Sequence, residues 1–157
     1  MKKIFMLLLC FFLFGCSHSE SIESLQFDEY HQIQESLIEQ TVFTDEFDFD
    51  VYVVFNKIND EYRYDLIIDN PQNIMYDITA MCYIDEDTDD MFPSLGVFDE
   101  DMFHLKKGYI NKEEGYYKGI QLSGMTLQKG KVKLYISYYD KEDKKIELFI
   151  EVNDEIR

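Results

Sequence analysis

From residue 47 to residue 152 the chain alternates apolar and polar residues with a period of two, a pattern that suits strands and not helices. "KVKLYISYY" puts Val132, Leu134, Ile136 and Tyr138 on one face, and "KIELFIEV" does the same for Ile146, Leu148, Ile150 and Val152. The polar "DKEDKK" between them completes a predicted hairpin. "FDVYVVFNKINDEYRYDLIID" predicts a second hairpin turning at Asn59–Asp60, with Tyr62, Tyr64, Leu66 and Ile68 facing one way. "NPQN" at 70–73 ends that strand, because Pro71 cannot donate to a ladder and is expected to hold Asn70 extended. In "IMYDITAMCYI" the inward set is Ile74, Tyr76, Ile78, Ala80, Cys82 and Ile84. "YKGIQLSGM" (117–125) adds a strand in which Gly119 and Gly124 mark bulges or close approaches. A weaker strand is expected near 91–98 or 102–106. Short strands at this spacing, with no helix between them, predict an all-β sandwich.

Upstream of residue 47 the pattern changes. "DEYHQIQESLIEQTVF" places Tyr30, Ile33, Leu37 and Ile38 at helical spacing with Asp28 as N-cap, which predicts a short helix over 28–40. "SHSESIESLQ" (17–26) is rich in Ser and Glu and reads as a tether. A flexible segment of that length spans about 16–19 Å.

The first residues, "MKKIFMLLLCFFLFGCS", start positive at Lys2 and Lys3 and continue as an apolar block from Ile4 to Phe14. That block is too short to span a bilayer, for which roughly 20 apolar residues are needed. It has the charge, length and small residue (Gly15) of a secretory signal peptide. The ending "LFGC" resembles the lipobox of bacterial lipoproteins, although Phe14 stands where a small residue is usual. The resemblance implies cleavage before Cys16 and a diacylglyceryl group on it; two acyl chains hold a protein stably on a membrane where one does not. Cys10, after the large Leu9, leaves with the peptide. The expected site is the cell membrane, lipid-anchored, on its extracytoplasmic side.

A second resemblance concerns the fold. "YRYDLIIDNPQNIMYDITAMCYI" resembles the strand, Asn-Pro break and strand found early in many bacterial immunoglobulin-like surface domains, and the closing hairpin is similar to their last two strands. It implies a fold and no chemistry. The expected organisation is a signal peptide (1–15), a lipidated Cys with tether and short helix (16–46), and an immunoglobulin-like β-sandwich (47–157).

Charge narrows the partners. The formal net charge is −17, and it becomes more negative when Lys2 and Lys3 leave. Such a body repels phosphates, which argues against nucleic acid, and it attracts basic proteins. Of the three cysteines, Cys10 is removed and Cys16 is committed to lipid, so no disulfide is expected within the mature chain. Cys82 sits at an inward phase and is expected to act as a small buried hydrophobe.

Catalytic patterns are missing from the sequence. His18, His31 and His104 have no metal-ligand spacing, and no nucleophile motif accompanies them. The expectation is a non-catalytic chain without a cofactor. In "DEDTDD" Asp85, Asp87 and Asp89 repeat the start of a calcium loop, but Asp90 stands where Gly is needed and Gly96 where a bidentate Glu is needed. The three are a weak metal candidate, and a solvated acidic loop is the stronger reading. "MFPSLGVFDEDMFHLKKGY" (91–109) carries Phe92, Phe98, Phe103 and Tyr109 beside acids. These aromatics either cap the sandwich or form an exposed rim, and on the rim reading Phe98, Asp99, Glu100, Asp101 and Phe103 bind a partner. "DEFDFD" (45–50) offers a second acidic–aromatic edge. The function that fits is a lipid-anchored protein-binding module, in one form an immunity lipoprotein that captures a secreted toxin. The alternatives are a structural or assembly lipoprotein of a cell-envelope complex, and a calcium- or ligand-binding sensor.

Overall fold

A computed structural model describes residues 21–84 and 90–153. The alternating runs form the strands they predict. β1 (Asp50–Ile58) and β2 (Glu61–Asp69) pair antiparallel from Asp50↔Asp69 to Ile58↔Glu61. Asn59 makes the turn between them at φ 56°, a left-handed conformation that Asn tolerates. Further on come β3 (Tyr76–Ile84), β4 (Ser94–Leu95), β5 (His104–Leu105), β6 (Tyr116–Tyr117) and β7 (Gly119–Thr126). The chain closes with the antiparallel pair β8 (Val132–Tyr139) and β9 (Lys145–Val152). In their turn the Asp140 carboxylate accepts the N–H groups of Glu142 (2.7 Å) and Lys144 (3.1 Å). Those two bonds hold its carboxyl below the usual range. Both segments expected to hold a weak strand form one: β4 falls in the first and β5 in the second.

Two antiparallel sheets result, in the orders β1-β2-β7 and β4-β3-β8-β9, with β5 and β6 as a small parallel pair. Their inward faces share one core. Leu66, Ile68, Ile120 and Leu122 come from the first sheet, and Ile78, Ala80, Cys82, Leu134, Ile136 and Ile150 from the second. The architecture is all-β and sandwich-like. The outer face of the three-stranded sheet mixes the exposed Tyr52, Val54 and Met125 with a polar cluster in which Asp65 accepts from Arg63 (2.9 Å), Ser123 (2.7 Å) and Gln121 (2.8 Å). Partial burial works to raise the Asp65 carboxyl, but these three donors outweigh it and hold the carboxyl below its ordinary value.

The four-stranded sheet is covered on its outer face. Helix α1 (Ile22–Glu39) presents Tyr30, Ile33 and Leu37 to Met81, Tyr135, Phe92 and Val97. The helix starts six residues earlier than the apolar spacing predicts. Its N-cap is Ser21, whose hydroxyl accepts the Ser24 N–H at 3.2 Å, and not Asp28. Residues 22–26 are therefore helical and do not belong to a tether. Glu23 in the first turn favours the helix dipole, and Glu, Gln and Leu carry the helical preference through to the packed stripe. Ile38, expected inward, is exposed.

Two further local expectations are corrected. Asn70 is left-handed at φ 46° and not extended; its side-chain amide donates to the Asp50 carboxylate at 2.8 Å, which holds the corner against the proline's preference. In β3 a bulge falls between Tyr76 and Thr79, with Asp77 at φ 47°. The extra residue shifts the phase, so Met75 is fully buried and Ile74 only half-buried.

Gly124 lies opposite Tyr64 across the β2–β7 ladder, and the Tyr64 ring fills the space a Cβ would need. We expect Gly124→Ala to lower stability by about 1–3 kcal/mol, as overpacking does, measured as a lower urea midpoint at unchanged slope. Beneath that ring the Cys82 thiol is fully buried, and burial pushes it up to about 12 from 9.0, a Tyr64 hydrogen bond offsetting part of the rise. A thiol raised in the folded state keeps its proton there while the unfolded chain loses it. Stability therefore falls as pH rises from about 9 towards 12. Cys82→Ala is expected to flatten that fall in pH-dependent unfolding curves.

Candidate functional site

The segment between β4 and β5 carries the residues that the sequence offers for partner binding. The structure places its two aromatics in different packing environments. Phe98 is half-buried, with its ring 5.1 Å from Phe27 and 5.4 Å from Tyr30 of α1. Phe103, also half-buried, packs against the shared core with its ring 5.3 Å from Tyr117, while its carbonyl accepts the Ile78 N–H at 2.9 Å. Phe92 is buried and stacks on Tyr83 at 4.4 Å, and its N–H donates to the Tyr30 hydroxyl at 2.6 Å. These three aromatics mainly cap apolar layers.

The acids between them divide by role. Asp99 accepts the Gly96 N–H at 2.7 Å, so its carboxylate closes a turn. Gly96 stands at φ +79° against the Ile78 carbonyl, a place no side chain could share. Glu100 and Asp101 are exposed. The loop thus presents two acids to solvent from a backbone fixed by Gly96, Asp99 and the two flanking Phe residues. Next to Phe98, Phe27 of α1 is exposed, as are Asp28 and Glu29. Helix and loop together therefore form an acidic surface with an aromatic centre. Asp28 and Glu29 fall at the start of the helix the sequence predicts, whereas Phe27, one residue before it, belongs to no predicted element.

The second acidic edge is partly structural as well. The rings of Phe47 and Phe49 pack tilted with centroids 5.0 Å apart, and Phe49 is buried beside Tyr138. Asp48 accepts from Asn73 at 2.9 Å. Cys16, Asp85, Asp87, Asp89 and His18 lie outside the described residues, so the lipid and calcium expectations have no geometry to be read against. Among the described residues no group of three His, Cys, Asp or Glu side chains is arranged to hold a metal ion. No helix among them is long and apolar enough to cross a membrane.

The other two histidines are engaged locally. His104 Nδ1 accepts the Asp77 N–H at 3.0 Å and pins the β3 bulge, with its ring 5.6 Å from Tyr76 and 5.0 Å from Tyr116. His31 Nδ1 lies 3.2 Å from the Gln34 side-chain oxygen, one turn along α1. The chain matches no protein-family model, no curated protein sequence and no solved structure.

The division of roles has a measurable consequence. Phe103→Ala should cost roughly 2 kcal/mol of stability, about half the usual cost of emptying a fully buried Phe site. Glu100→Gln with Asp101→Asn should leave the melting temperature within a degree or so. Equal effects from the two changes, read by thermal unfolding, would contradict the assignment of Phe103 to packing and of these acids to the surface.

Proposed function

We propose that this chain is a lipid-anchored, extracytoplasmic, non-catalytic protein-binding module with an immunoglobulin-like sandwich. Connectivity supports the fold reading. In constant-type immunoglobulin sandwiches the first, second, fifth and fourth strands share one sheet and the third, sixth and seventh the other; the fourth strand has no counterpart in the three-stranded sheet here. Counting only the long strands, β1, β2 and β7 make the first set here and β3, β8 and β9 the second, with the short β4 added beside β3. The parallel β5–β6 pair is an elaboration between the two halves.

The observation that carries the functional reading is the fixed acidic–aromatic surface of Phe27, Phe98, Glu100 and Asp101 on a chain of net charge −17. A basic protein is drawn to such a surface at long range, and partly exposed aromatics give it something to bury on arrival. An immunity lipoprotein that captures a basic secreted toxin is one concrete form. The lipobox-like "LFGC" supports anchoring through Cys16 to the bilayer.

Two measurements test these halves separately. Cys16→Ala should abolish lipid labelling and leave the precursor uncut; normal membrane retention without lipid on Cys16 would defeat the anchor. For the module, the partner recovered by cross-linking in whole cells should be basic. Its association should slow with rising salt, and Glu100→Gln with Asp101→Asn should reduce that salt dependence, whereas Phe98→Ala should mainly speed dissociation. An acidic partner, or association indifferent to salt, removes the electrostatic reading.

A further inference from the structure

Away from the acidic surface, the corner between β2 and β3 faces the turn Lys106–Tyr109 across a groove of about 320 Å³. Asp69, Asn70, Pro71, Lys106, Lys107 and Lys118 line it, with Tyr109 and Ile110 on the turn side. Gly108 at φ +70° turns the backbone, and the Tyr109 N–H returns to the Lys106 carbonyl at 3.1 Å, so two consecutive lysines sit on a tight loop. Lys118 enters from the start of β7, where its neighbour Gly119 pairs with Asp69.

Among the described residues these lysines form no ion pair. Lys106 Nζ lies 4.9 Å from the centre of the Tyr109 ring, and Lys107 Nζ donates to the neutral Gln72 side chain at 2.8 Å. No carboxylate of a described residue lies within 4.0 Å of any of the three ammonium groups, although the chain has 32 acids to 15 bases. The lining carboxylate, Asp69, takes the Tyr52 hydroxyl at 3.4 Å. Three lysines and one aspartate therefore line a concavity together with the buried Pro71 and the exposed Tyr109 and Ile110. The volume is at the small end of the range for ligand clefts. Lysine binds phosphate as a point charge, without the planar fit that arginine needs.

We propose that this groove binds a phosphate ester: the phosphate sits among Lys106, Lys107 and Lys118, and the organic part lies along Tyr109 and Ile110. A soluble phosphate ester and a phospholipid head group share that chemistry. The proposal is independent of the acidic surface and of the anchor.

The test uses the full chain in neutral maltoside micelles, with the backbone amides of Gly108, Tyr109 and Lys118 followed by NMR. One arm adds glycerol 3-phosphate and the other dihexanoyl phosphatidylglycerol, each against sodium sulfate at matched ionic strength. Saturable shifts at those amides are expected in at least one arm, and the arm that saturates identifies the source. Each of Lys106→Gln, Lys107→Gln and Lys118→Gln should weaken binding about tenfold, with the rest of the spectrum unchanged. Lys141→Gln with Lys144→Gln, in the β8–β9 turn, should not weaken it. The proposal is overturned if neither probe gives saturable shifts, if sulfate alone reproduces them, or if the three groove variants bind as well as the parent.

Discussion

Strands β3 and β8 are buried on both faces, and most of the remaining structure follows from that. One face meets the opposite sheet; the other, carrying Met81 and Tyr135, needs a cover that a two-sheet sandwich alone does not provide. Helix α1 supplies it with three side chains, each worth roughly 1.5–3 kcal/mol if taken wholly from water. Because the helix crosses onto this face, the segment after β3 can tuck Phe92 and Val97 under its edge. The backbone from Pro93 to Asp99 is then held from both sides: the Pro93 carbonyl accepts the Cys82 N–H at 3.0 Å, and Asp99 closes on Gly96. Remove α1, and the sheet has a wet apolar face while the acidic loop loses one of its walls.

Two-sided burial also explains what the sequence disclosed and what it hid. Where one face is wet, as in β2, strict alternation makes both strand and inward set legible, and Tyr64, Leu66 and Ile68 are where the pattern puts them. In β8 the same reading finds Val132, Leu134, Ile136 and Tyr138 but passes over Tyr135, which packs in the second layer, and Ser137, which is also buried. Period alone cannot report a second layer. The start of α1 was hidden for a related reason: a polar first turn capped by Ser21 looks like a linker until the stripe at Tyr30, Ile33 and Leu37 has a surface to grip. Gly124 and Cys82 were legible because each carries a local signal, a glycine inside a strand and a small thiol at an inward phase. The bulge at Asp77 and the corner at Asn70 depend on His104 and Asp50, distant in sequence, and nothing nearby announces them.

The acids deserve the same separation as the apolar residues. Asp48, Asp50, Asp65, Asp99 and Asp140 each accept a specific hydrogen bond that fixes a turn, a corner or a strand face. Their charge still adds to the field, but they are not free to rearrange around a partner. Glu100 and Asp101 have no such duty and project from a backbone that others hold still. An acid in this position loses little side-chain order when the protein folds and remains available for an approaching charge. Composition counts both groups alike; geometry distinguishes them.

The field of the whole chain and the local field of the groove have opposite signs, and distance decides which one a ligand feels. Beyond a Debye length of about 8 Å at physiological salt, individual charges are largely screened. Below that, an anion entering between Lys106, Lys107 and Lys118 meets three cations against the Asp69 carboxylate, before it feels the acids of the rest of the chain. An anion must reach that point against a body of charge −17, so its encounter is slowed by the same field that, on the proposed function, speeds a basic protein to the acidic loop. Added salt weakens the attraction at the loop at every distance. At the groove it weakens the short-range attraction and also relieves the long-range repulsion, so the two changes partly cancel. If both proposals hold, the two surfaces are separable by ionic strength alone: a basic partner's association should fall steeply with salt, and a phosphate ester's should fall little.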